Sequence, residues 1–191
     1  MKTLALLALA LLACTAPPAL ETPRPQHVIR VALEDGADLT GWMNWHRKVL
    51  LKLWPRLDGT GYAFVIDQRN PDVRVRTFDA GASCEHGGGR YVVGSPVVEI
   101  DPVCVPGAER LRFAVAHELL HWLTWRDARW VGHLCGGSDV SSDCHPTVRG
   151  VGLLSPVLPA QFDASGEALP PPEARLTTDD VRLLRALRIV R

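Results

Sequence analysis

The hydrophobic pattern divides the chain into short alternating segments and longer helical ones. His27 to Leu33 (HVIRVAL) alternates apolar and polar positions, as does Asp72 to Phe78 (DVRVRTF), where valines interleave with arginines. Such alternation predicts strands with one buried face. Ala63 to Ile66 and Tyr91 to Ile100 (YVVGSPVVEI) also read as β segments. Pro96 cannot donate to a ladder, so the latter belongs at a sheet edge or a bulge. Trp42, Trp45, Val49 and Leu53 recur at helical spacing, predicting a helix over 40–54 that Pro55 ends. A second helix is predicted from Ala108 to about Trp125. A third follows Thr177, a plausible N-cap with Asp179 and Asp180 in its first turn and a buried stripe of Val181, Leu184 and Leu187. This order predicts an α+β (mixed α/β) domain over 27–191: a twisted mixed sheet packed on two long helices, with a helix at the C-terminus.

The first residues follow another logic. Leu4 to Leu12 is a continuous apolar run after Lys2, too short to span a bilayer and suited to a signal-peptide core. It leads into Leu11-Leu12-Ala13-Cys14, which resembles the bacterial lipobox. The expectation is a lipoprotein signal peptide at 1–13, lipidation of Cys14, and a proline-rich tether at 14–26 reaching on the order of 30 Å. An ordinary secretory signal is the alternative. By resemblance to known sorting patterns, Thr15 in place of Asp points to the outer rather than the inner membrane.

Lys plus Arg equals Asp plus Glu, at 21 each, which gives no electrostatic footprint for nucleic acid. Beyond Cys14 the cysteines are Cys84, Cys104, Cys135 and Cys144. An even number in an exported chain favours two disulfides. Three pairings are possible, and proximity suggests Cys84–Cys104 and Cys135–Cys144. No close pair has the spacing usual for zinc ligands.

The chemistry concentrates in His117-Glu118-Leu119-Leu120-His121, inside the second predicted helix. Residues four apart lie one turn apart on the same face, so both imidazoles can reach one ion. Glu118 stands about 100° around the helix, beside the ligands, where it can take a proton from a metal-activated water. A catalytic zinc ordinarily has three protein ligands and an open position. The downstream candidates for the third are Asp127, His133 and His145. His27, His46 and His86 are read as packing or loop residues, and neither Glu167 nor Glu173 lies in a helical pattern facing the first helix.

With this motif the chain resembles the metzincin clan of zinc endopeptidases, particularly its matrixin-like bacterial members. Their signature extends as His-Glu-x-x-His-x-x-Gly-x-x-His, followed by a Met-containing turn beneath the metal and a closing helix. Gly152 to Leu158 is similar to that turn, with Leu154 at the Met position; Leu176 to Leu187 is similar to the closing helix. Val73 to Phe78 resembles the central strand, and Tyr91 to Ile100 the substrate-binding edge strand. Thr124 stands where the family has Gly, and Asp127 where it has the third His. His133-Leu134-Cys135 is similar to a His-x-Cys pattern in relatives whose third ligand precedes a disulfide loop, with Gly132 providing the turn. The resemblance therefore implies one Zn2+ on His117, His121 and His133, with Asp127 as the alternative third ligand, and Glu118 as general base. It implies a monomeric endopeptidase acting on proteins or peptides, with specificity shaped by 155–175. Two other expectations stay open: an inactive lipoprotein that keeps the fold as a binding module, and a zinc hydrolase of cell-wall peptides.

Overall fold

A computed structural model describes residues 27–34, 60–78, 88–101, 103–105, 108–136, 142–150, 152–154 and 176–190. The signal peptide, Cys14, the tether, the helix expected over 40–54, Cys84 with its expected pairing to Cys104, His46, His86 and the specificity segment 155–175 lie outside the described residues.

Five strands form one mixed sheet: β1 (His27–Glu34), β2 (Tyr62–Ile66), β3 (Val73–Thr77), β4 (Gly89–Tyr91) and β5 (Val97–Ile100), in the order β2-β1-β3-β5-β4. β1 pairs in parallel with β2 and β3, and β3 with β5; only β4 runs antiparallel, on the outer edge beside β5. The register explains the alternation. Val31 pairs with Val73 and Leu33 with Val75, so Ile29, Val31, Leu33, Val73, Val75, Val98 and Ile100 share one face and are buried. The arginines of β3 fall on the other face. There Arg74 meets Glu34 at 2.7 Å, and Glu99 is held between Arg76 and Arg90. Burial alone would raise the Glu99 carboxyl, but hydrogen bonds from Arg90 and Arg76 outweigh it and hold the group below the usual range.

α1 (Ala108–Ala128) packs on the apolar face against β4 and β5. Leu111, Phe113, Val115, Leu119, Leu120, Trp122 and Leu123 are buried around most of its circumference, as expected of a helix enclosed by its own domain. A small parallel pair follows, β6 (His133–Cys135) and β7 (Cys144–Arg149), and the chain closes with α2 (Thr178–Ala186) against both. No described helix is long and apolar enough to cross a membrane.

Three features differ from the sequence reading. Tyr91 to Ile100 is a hairpin rather than one segment: Ser95 N–H donates to the Val92 carbonyl at 2.9 Å and Gly94 takes φ 81°, so the edge strand is Gly89–Tyr91 and β5 is interior. α1 runs three residues past Trp125 and ends at Arg129, which takes φ 55°. Gly132 lies in the connection from α1 to β6, where its missing side chain admits the Asp143 carbonyl, which a Cβ would meet at 2.7 Å. In α2 the fully buried residues are Asp180, Leu183 and Leu184, whereas Val181 and Leu187 are only half-buried.

Candidate metal centre

His117 and His121 project from one face of α1, and β6 brings His133 across to them. One ligating atom from each lies within 4.8 Å of the other two. The His117 and His133 rings stack at 5.4 Å, while His121 presents its edge to both, at 4.5 and 4.9 Å. β6 is pinned on both flanks. His133 N–H donates to the Asp143 carbonyl at 2.6 Å, and Leu134 N–H to the Leu154 carbonyl at 2.8 Å. The Cys135–Cys144 disulfide, with Cα atoms 5.5 Å apart, ties the strand to β7.

The tautomer of His117 follows from its partner. Nδ1 lies 2.5 Å from the Leu153 carbonyl, which can only accept, so Nδ1 carries the proton and Nε2 presents its lone pair inward. That Nε2 faces Nε2 of His121 at 2.9 Å. Burial pushes His117 down to about 4, and it pushes His121 and His133 below the ordinary imidazole range. At neutral pH the three rings are thus uncharged, the form that binds metal. Nδ1 of both His121 and His133 is buried without a hydrogen-bond partner, so the cluster does not satisfy itself. Three neutral imidazoles suit zinc. Nitrogens sharing one tetrahedral ion stand about 3.3 Å apart, close to the His117–His121 separation. The donor set fits.

Glu118 lies beside this group and is 6% exposed, with Oε1 4.0 Å from His117 Nε2. Burial raises its carboxyl to about 8, against the backbone N–H of Tyr91, which donates to it. Gly89 makes the fit possible, since a Cβ there would stand 2.9 Å from Oε1. β4 also turns an edge toward this spot. Asp101 N–H donates to the Gly88 carbonyl. By the antiparallel alternation, the backbone groups of Gly89 and Tyr91 then point away from β5.

Asp127, the other sequence candidate, is engaged elsewhere. Its carboxylate accepts from the Tyr62 hydroxyl at 2.8 Å and from Arg126 at 2.5 Å. Burial and that carboxylate together push the Tyr62 phenol up to about 12. Thr124 does not break α1; it is fully buried and its hydroxyl donates to the His121 carbonyl at 3.1 Å. Nδ1 of His145 accepts the N–H groups of Thr147 and Val148, and His27 stacks on Tyr62.

Sequence reasoning missed Asp180, treating it only as a first-turn acid. It caps α2 through Thr177 and also accepts the N–H groups of Leu153 at 2.9 Å and Leu154 at 3.2 Å. The Thr177-x-x-Asp180 spacing of a capping box was the available signal. Gly152 leaves the space this carboxylate occupies.

No protein-family model and no curated protein matches the chain, so the reading of this centre rests on its own residues.

Proposed function

We propose that the chain is a zinc-dependent endopeptidase with a metzincin-like fold, exported and held on a bacterial membrane through a lipid on Cys14. What carries the reading is the convergence of three neutral imidazoles beside a buried carboxylate, at the outer edge of the sheet formed by the described strands.

His117, His121 and His133 would hold the ion. Zinc, when bound, supplies Lewis acidity that activates water and polarises a scissile carbonyl. Glu118 takes the proton released by the attacking water and returns it to the leaving amine. A cation beside it would lower the raised proton affinity of the metal-free carboxyl and keep it ionised for the first task, and the backbone N–H of Tyr91 donates to it. A substrate backbone adds to β4 as a further strand, using the outward N–H and carbonyl of Gly89 and the outward carbonyl of Tyr91, whose N–H is engaged by Glu118. Leu153 keeps the His117 ring in the tautomer that presents Nε2.

The test is hydrolysis of casein and peptidoglycan, offered side by side to the zinc-loaded protein. The expected result is casein cleavage that stops with a chelator, returns with zinc and is lost in Glu118→Gln. Failure to cleave casein under zinc-replete conditions would overturn the reading, and cleavage of peptidoglycan alone would assign the cell-wall alternative. For the anchor, Cys14→Ala is expected to move the protein out of the membrane fraction. Its retention after a high-salt wash would refute lipidation.

A further inference from the structure

Beyond Glu118, the same stripe of α1 continues through Trp122, Trp125 and Arg129, spaced four, seven and eleven residues on. Together with Tyr91 and the β4–β5 turn at Pro96, these residues line a cavity of about 290 Å3. Its floor is aromatic and its rim cationic. Arg126 lies over the Trp122 ring at 4.8 Å and is already bound to Asp127. Asp72, the acid in the lining, has an oxygen 2.7 Å from the backbone N–H of Arg30, which donates to it. Arg129 stacks over Trp125 at 5.5 Å and has no carboxylate partner among the described residues.

The backbone at Arg129 adds an independent observation. It ends α1 in the left-handed region, at φ 55°, where glycine or asparagine is the ordinary choice. A long side chain there strains the backbone. Glycine would relieve that strain but would remove the cation from the cavity.

Position relative to Glu118 sets what the cavity can receive. A peptide added antiparallel to β4 has its N-terminal part beside Tyr91 and the turn. Trp122 to Arg129 lie about 6 to 16 Å along the helix from Glu118, which spans roughly two to five residues of extended chain. We propose that this cavity is a substrate subsite for an acidic side chain two to five residues on the N-terminal side of the scissile bond, with Arg129 as the specificity-determining residue. The proposal rests on the peptidase reading of the histidine centre, and its test is built to separate the two.

Quenched fluorescent peptides carrying Glu or Gln at the second, third, fourth or fifth position before the cleaved bond are compared with wild type and Arg129→Gln. At one of these positions wild type is expected to prefer Glu by about fivefold in kcat/KM, the effect of a partly exposed ion pair. In Arg129→Gln the ratio falls to about one, while Arg188→Gln, at the end of α2, keeps the preference. No preference at any position, or a preference that survives Arg129→Gln, would overturn the proposal. If wild type cleaves none of the peptides, the peptidase reading fails, and fluorescence anisotropy of the same labelled peptides still decides the cavity. Tighter binding of a Glu peptide that is lost in Arg129→Gln upholds an acidic-ligand site; equal binding overturns it.

Discussion

The Asp180 carboxylate accepts the backbone N–H of Leu153 at 2.9 Å, and the carbonyl of the same Leu153 faces Nδ1 of His117 at 2.5 Å. A C-terminal helix thereby reaches the histidine cluster through one residue of a turn. A carboxylate at the start of α2 holds the turn, and the turn holds the imidazole.

Removing that carboxylate leaves the N–H groups of Leu153, Leu154 and Thr177 without this acceptor and opens one half of the α2 capping box, while the Thr177 hydroxyl still accepts from the backbone N–H of residue 180. Asp180→Ala is expected to destabilise the protein by about 3 kcal/mol, from charge-assisted hydrogen bonds and half of a capping box lost together. It is also expected to weaken zinc binding 10- to 100-fold, the usual effect of losing support behind a ligand. Urea denaturation and a zinc competition titration measure the two. A variant with wild-type zinc affinity would break the link between α2 and the centre.

Much of this was legible beforehand because it depends on local spacing. The valine–arginine alternation of β3 reports a two-faced strand wherever the strand lies, and the i, i+4 histidines must share a helix face. The role of Asp180 was not legible, because its partners Leu153 and Leu154 are 27 and 26 residues away in sequence. The hairpin was hidden because Val92 and Val93 are as apolar as strand residues yet stay exposed in the turn. Nor could periodicity place the end of α1: Thr124 buries its hydroxyl on the His121 carbonyl, which removes its reason to break the helix. β6 and β7 are short, and the disulfide rather than a hydrophobic pattern joins them.

Glu118 should make the metal-free protein pH-sensitive in one direction. Its folded-state value of about 8 lies above the ordinary 4.5, so the protonated group favours folding below pH 4.5. That contribution is lost as pH rises toward 8. Glu118→Gln cannot ionise and should stabilise the metal-free protein by on the order of 3 kcal/mol at pH 7. The advantage should vanish at pH 4.5. Urea midpoints of both forms in chelator, at the two pH values, check this; an advantage independent of pH would refute the buried-carboxyl account.

The Cys135–Cys144 disulfide closes a short loop next to His133. Replacing both cysteines by alanine is expected to cost about 2 kcal/mol of stability, as suits a loop of this size. Because β6 carries His133, the proposed third ligand, zinc affinity should also drop by about tenfold, as for other supporting residues. Calorimetric melting with and without zinc separates the effects. A variant whose melting temperature falls equally in both conditions would show that the bridge supports the fold but not the centre.

The remaining prediction sets His133 against Asp127. Zinc held by His117 and His121 alone is reached from one helix only, and β6 is the element that delivers a third donor. His133→Ala should therefore lower zinc affinity by more than about hundredfold, beyond the range of a supporting residue. Asp127 points to Tyr62 instead, so Asp127→Asn should retain one zinc per chain. An amide oxygen can still accept the Tyr62 hydroxyl, and the weaker bond should cost about 1 kcal/mol. Tyr62→Phe should give a similar loss, and the double variant should lose less than the sum of the two, because both changes act on the Tyr62–Asp127 bond and only Asp127→Asn also removes the ion pair with Arg126. Metal content of the purified variants at neutral pH, measured without added zinc, checks the assignment. Full occupancy in His133→Ala together with loss in Asp127→Asn would reverse it.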